Sequence, residues 1–170
     1  MKARYLSFLL LGFLSFLVWS DSKGQQAEAA QSQAFDKALV TLKINGDTAL
    51  FILLAEDGTV NRMGNGSLAS DHDMYIGRQP EPLFARFIGR ITPQLLEHQG
   101  AYELPNRAGA HCELTLLLGS RGSNRSAGFK YIYGSESQGP PPEIADLIRY
   151  AVELTKPWYE QQKRSANARK

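Results

Sequence analysis

Cysteine is almost missing from this chain: there is one, Cys112, in 170 residues. A single thiol closes no intrachain disulfide, so the fold must be held by its core and its hydrogen bonds. It also excludes zinc ribbons and C-x-x-C redox pairs. An excess of one charge is missing too. Lys2, Arg4 and Lys23 against Asp21 account for the whole formal net charge of +2, so the chain from Gln25 onward is neutral. Lys163, Arg164, Arg169 and Lys170 stand together near the C-terminal end without an acid, and the body before them is acidic by the same amount. Nucleic-acid binders carry a basic face within the fold; this body has none, and no nucleic-acid partner is expected. Residues 163–170 read as a basic, solvated C-terminal tail, with an anchor to an anionic surface as the alternative. No G-x-S-x-G or H-E-x-x-H pattern occurs, which removes two common hydrolase signatures.

Long apolar runs are absent except at the N-terminal end. Lys2 and Arg4 precede a stretch from Phe8 to Val18 broken only by Gly12 and Ser15, extended by Tyr5, Leu6 and Trp19. Small and polar residues come next, Ser20-Asp21-Ser22-Lys23-Gly24. That order is a secretory signal peptide over residues 1–24, cleaved between Ser20 and Gly24. The apolar part, Tyr5 to Trp19, is shorter than the roughly 20 residues a membrane-crossing helix needs, so no transmembrane anchor is expected after cleavage. With no cysteine at the cleavage point, the product is expected to be periplasmic or extracellular and not a lipoprotein. The lone thiol suits a periplasm or envelope best. Asn65-Gly66-Ser67 and Asn124-Arg125-Ser126 fit the glycosylation pattern, which is too common by chance to reverse that preference.

Beyond a polar spacer over 25–36, residues 37–162 read as a single α+β domain. Ala38, Val40, Leu42 and Ile44 alternate with Leu39, Thr41 and Lys43, and Asn45-Gly46 is a strong type I′ turn signal. Pairing Ile44 with Asp47 across that turn sets Leu42 opposite Ala49, Val40 opposite Phe51 and Ala38 opposite Leu53. Asp57-Gly58 returns the chain through Thr59–Met63 as a third strand, and Met74–Ile76 forms a short fourth. Leu83, Phe84, Phe87, Ile88 and Ile91 mark a helical stripe. Thr92-Pro93, a cap followed by proline at the first helical position, starts a short second helix that ends at Gly100. Cys112, Leu114, Leu116 and Leu118 alternate again, Gly128–Tyr133 returns as a strand, and Ile144, Leu147, Ile148, Ala151 and Leu154 form the last helical stripe. Thr155-Lys156-Pro157 echoes Thr92-Pro93. The fold class is therefore α+β: an antiparallel sheet of hairpins and meander, with two amphipathic helical segments packed on one face. Phe84, Phe87, Ile88, Ile91 and Thr92 match Leu147, Tyr150, Ala151, Leu154 and Thr155 at a fixed offset. This is either an internal hairpin–helix duplication or the period any two amphipathic helices share.

Few residues offer chemistry. Gly64-Asn65-Gly66-Ser67-Leu68-Ala69 fits a dinucleotide fingerprint in letters only, since no helix succeeds it to present its amides; it reads as a loop. Asp71, His72 and Asp73 are the densest group of potential metal ligands, and a divalent metal is the one cofactor the chain suggests. The structural alternative is a solvated loop whose carboxylates cap local turns. His98 reads as an imidazole at a helix C-terminal end. His111 adjoins Cys112, but strand alternation turns the two apart, leaving Cys112 as core. Arg121 and Arg125, in a glycine- and serine-rich loop, could bind a carboxylate or phosphate or simply decorate a hairpin tip. Three prolines at 140–142 weaken an anion site at the last helix, because they supply no N–H. Phe129, Tyr131 and Tyr133 share one strand face; they read as packing, or as the lining of a groove for a peptide or glycan. The expectation is an exported, non-enzymatic module binding a protein, peptide or small ligand through residues such as Arg121, Arg125, Tyr131 and Tyr133. One alternative is a metal-binding protein or metal-dependent hydrolase using Asp71, His72 and Asp73. The other is a structural or assembly subunit pairing through a sheet edge.

Overall fold

The computed structural model describes residues 35–69, 73–105, 107–120 and 126–169. The expected leader, the spacer up to residue 34, Asp71, His72, Arg121 and Arg125 lie outside them. Among the described residues seven strands, β1 (Lys37–Ile44), β2 (Asp47–Ala55), β3 (Thr59–Gly64), β4 (Tyr75–Arg78), β5 (Gly100–Glu103), β6 (His111–Gly119) and β7 (Ser126–Gly134), form one sheet in the order β4-β3-β2-β1-β6-β7-β5. Every pairing is antiparallel except that of β5 with β7. The helices among the described residues are α1 (Leu83–Ile88), α2 (Pro93–Leu96) and α3 (Pro142–Asn167). The fold is a mixed α+β arrangement, and a separate short helix starts at Pro93 as Thr92-Pro93 led one to expect.

Asn45 and Gly46 both have positive φ, 53° and 93°, which is what a type I′ turn demands of its central pair. Ile44 pairs with Asp47 as expected, but the register expected beyond it is corrected by a bulge. Leu42 faces Leu50, Val40 faces Ile52 and Ala38 faces Leu54, each one residue further along β2. Ala49 is the inserted residue, fully buried, and a bulge of this kind shifts every later pair by one. The shift puts Leu50, Ile52 and Leu54 on the inner face beside Val60, Leu114, Leu116, Leu118 and Phe129.

That inner face is covered by the helices. The α3 helix contributes Ile144, Leu147, Ala151, Leu154, Thr155, Trp158 and Tyr159, at steps of three and four that keep them on one side. The α1 helix adds Leu83, Phe84, Phe87 and Ile88. Each such aliphatic or aromatic side chain contributes roughly 1.5–3 kcal/mol when fully removed from water. Thr92 caps α2 by accepting from the Leu95 N–H at 3.2 Å, ahead of Pro93 at the first helical position. The α3 helix does not stop at Thr155-Lys156-Pro157. It runs through Pro157 to Asn167 and takes in much of the basic tail. Among the described residues no helix is long and apolar enough to cross a membrane.

The other face of the sheet carries no helix among the described residues. Ile76, Asn61, Leu53, Leu39 and Leu117 form one cross-strand row there, as the registers of β4, β3, β2, β1 and β6 require. Ile76 is 72% exposed and Leu117 46%. Within the row the Asn61 side-chain oxygen is buried without a hydrogen-bond partner among the described residues.

Candidate functional site

Two clefts flank α3, one along each half of the helix. The first is about 400 Å³ and lies between the N-terminal half of α3 and the segment from Arg90 to His98. Its apolar wall is Leu95 from α2 and Leu147 from α3, both buried. Above that wall the Arg90 guanidinium lies 4.8 Å from the centre of the Tyr150 ring, a cation–π contact that holds the arginine against the helix. Glu97, Glu143 and Asp146 also line the cleft, so carboxylates outnumber the single arginine. Asp146 is joined to Arg149 at 2.7 Å in an exposed pair. His98 lines the same space. Its backbone oxygen accepts from the Tyr131 hydroxyl at 3.2 Å, while its imidazole holds none of the three carboxylates.

The second cleft, also about 400 Å³, opens between the end of β3 and the C-terminal half of α3. Its centre is Arg62, 2% exposed and the largest fully buried side chain among the described residues. Strand alternation turns Val60, Arg62 and Gly64 inward together, so this arginine points at α3. Nη1 donates to Val152 O at 2.7 Å and to Thr155 Oγ1 at 2.8 Å, and Nε approaches Gly64 O at 3.4 Å. The guanidinium sits 4.6 Å from the centre of the Tyr159 ring. Burial pushes the Arg62 pKa below the usual arginine value, against the opposing pull of Tyr159, Glu160 and Glu153. Thr155 Oγ1 in turn donates to Ala151 O at 2.8 Å.

The residues expected from sequence fall in different places. Tyr131 is buried on the inner face, stacked on Tyr102 with ring centres 5.1 Å apart. Tyr133 is half-buried, and burial, followed by the neighbouring Cys112, raises its phenol above the ordinary range. Cys112 itself is buried, its Sγ 3.6 Å from Ala110 O, and burial raises its thiol. Asp73 is exposed just before β4, while Asp71, His72, Arg121 and Arg125 lie outside the described residues. Among the described residues no group of three or more His, Cys, Asp or Glu side chains gathers to hold a metal ion. Register also separates the loop ends: Ile44 pairs with Cys112 and Leu42 with Leu50, which pairs with Gly64, whereas Lys37 pairs with Gly119. Gly64 and His111 therefore stand at one end of the sheet and Gly119 and Ser126 at the other.

Neither cleft was anticipated. Arg62 left a readable signal, a charge at an inward position of an alternating strand, but its partners are 90 and 93 residues away. Comparison of the chain with protein-family models and with curated proteins finds no match.

Proposed function

We propose that this chain is an exported, non-enzymatic module that binds a protein, peptide or small ligand, with the cleft between α2 and the first half of α3 as its binding place. The observation that carries this reading is the cleft's composition: an apolar wall of Leu95 and Leu147 under a rim rich in carboxylate, with Arg90 pinned on Tyr150. Preformed apolar clefts of roughly 300–1,000 Å³ with a few placed polar groups are the usual form of ligand sites. The rim favours a ligand with an apolar body and a basic group. A binder is favoured over an enzyme because His98 is not oriented by any of the neighbouring carboxylates, as a general base would need to be. The Thr92 hydroxyl is committed to capping α2. Export rests on the leader, and the hairpin–helix duplication remains a proposal alongside it.

A direct test titrates ¹⁵N-labelled protein with N-acetyl-Leu-Lys-amide and, separately, with N-acetyl-Leu-Glu-amide. The expected result is saturable amide shifts at Leu95, Leu147 and Tyr150 with the basic peptide and weaker ones with the acidic peptide. Shifts that fail to saturate, or that ignore the charge of the probe, overturn the reading.

A further inference from the structure

Arg62 is an unusual side chain to bury, because no carboxylate among the described residues hydrogen-bonds it. Removing a guanidinium from water without a counter-charge is costly. Three of its bonding directions are spent on Val152 O, Thr155 Oγ1 and, at longer range, Gly64 O, all through Nη1 and Nε. Nη2 makes no hydrogen bond to the described residues, yet among them the only buried side-chain nitrogen or oxygen left without a partner is Asn61 Oδ1. Nη2 is therefore the part of Arg62 that meets the cleft. Lys156 and Lys163 line the same cleft with Glu153 and Glu160, so among the described residues that line it three cations face two carboxylates. The Lys156 ammonium is 3.8 Å from the Glu153 carboxylate in an exposed pair, a loose contact that a better-placed anion can displace.

We propose that this cleft is an oxyanion site, in which Arg62 Nη2 donates to one oxygen of a phosphate or carboxylate and Lys156 approaches another. Nη1 and Nε are already committed, so the site takes the anion through one fixed donor and not through the two-pronged arginine grip. The fixed donor is held in place by α3 before any ligand arrives, and the desolvated surroundings strengthen its bond to a charged acceptor. The site shares no lining residue with the α2–α3 cleft, so either can fail without the other.

The test tracks the side-chain nitrogen resonances of Arg62 in the full folded chain. Inorganic phosphate and acetate are titrated separately, with sodium chloride at matched ionic strength as the control. The expected result is a saturable shift with at least one oxyanion and none with chloride; the tighter of the two identifies the class. Lys156→Gln, on the exposed side of the helix, is expected to weaken binding about fivefold, and Lys156→Glu to weaken it further. Arg62 resonances that stay still, or that drift equally with chloride, overturn the proposal. So does a saturable shift that both Lys156 variants leave unchanged.

Discussion

Pro157 lies in the interior of α3, where it has no N–H for Glu153 O and its ring presses on the preceding turn. A proline at such a position costs about 3 kcal/mol relative to alanine. The adjacent carbonyl, Val152 O, accepts from Arg62 Nη1 at 2.7 Å, and Thr155 Oγ1 accepts from the same nitrogen. Arg62 thus supplies bonds to the turn that proline disturbs. Hydrogen bonds from a charged donor are worth roughly 1.5–3 kcal/mol each, and the desolvation of a buried cation offsets part of that. Arg62→Met, similar in length and apolar, is expected to destabilise the folded chain by about 2 kcal/mol. If the bonds to α3 compensate for Pro157, the same substitution in a Pro157→Ala background costs less, because the preceding turn is then free of the proline ring's pressure and is held by its own helical bonds. The expected coupling is about 1 kcal/mol, above the scatter of roughly 0.3–0.5 kcal/mol seen for independent sites. Urea denaturation of the four proteins, monitored by Trp158 fluorescence and by far-ultraviolet circular dichroism, measures it. Additive losses within that scatter would refute the idea that Arg62 supports the proline turn.

Asn61→Leu is expected to stabilise the protein by about 1 kcal/mol, since it removes a buried oxygen with no partner among the described residues from an apolar row between Leu53 and Ile76; a lower urea midpoint than wild type would count against it. Cys112, Tyr131 and Tyr133 all have acidities weakened by burial. Their protonated forms are the folded ones, so stability from these groups is complete below their ordinary values and falls as pH rises through the folded ones. Urea midpoints are therefore expected to decline above about pH 9, the ordinary thiol value being 9.0, and Cys112→Ala should delay that decline; identical profiles for the two proteins would remove the thiol's share.

The β1–β2 hairpin shows where sequence legibility ended. Its turn was readable because Asn45-Gly46 supplies positive φ at both required positions. Its register was not, because both faces of β2 are apolar: Leu50, Ile52 and Leu54 on one side, Phe51 and Leu53 on the other. Alternation fixes register only when one face is polar. Here either register looked continuous, and the bulge at Ala49 decided between them. The short edge strand β5 was unreadable for a different reason. All its residues are exposed, so it carries no apolar period. The two clefts join segments roughly fifty to a hundred residues apart, and no local pattern reports such a meeting.

Thr92-Pro93 and Thr155-Lys156-Pro157 make the limit more specific. Each places a hydroxyl just before a proline, and each reads as a helix start. At the first, Thr92 is extended, with φ −96° and ψ 161°, and its hydroxyl accepts from the N–H ahead of it. At the second, Thr155 lies within the helix, its hydroxyl turns back to Ala151 O and its oxygen receives Arg62. A Ser or Thr side chain can serve either role, as a cap or as a back-bonded member of a helix. The local sequence does not choose between them; in the fold the second threonine lies inside α3, with Arg62 of β3 donating to its oxygen and to Val152 O. The same side chain that bonds α3 at Val152 and Thr155 also lines the second cleft. The bonds to the turn before Pro157 and the proposed anion donor therefore belong to one inward-pointing residue, and substitution of Arg62 bears on both.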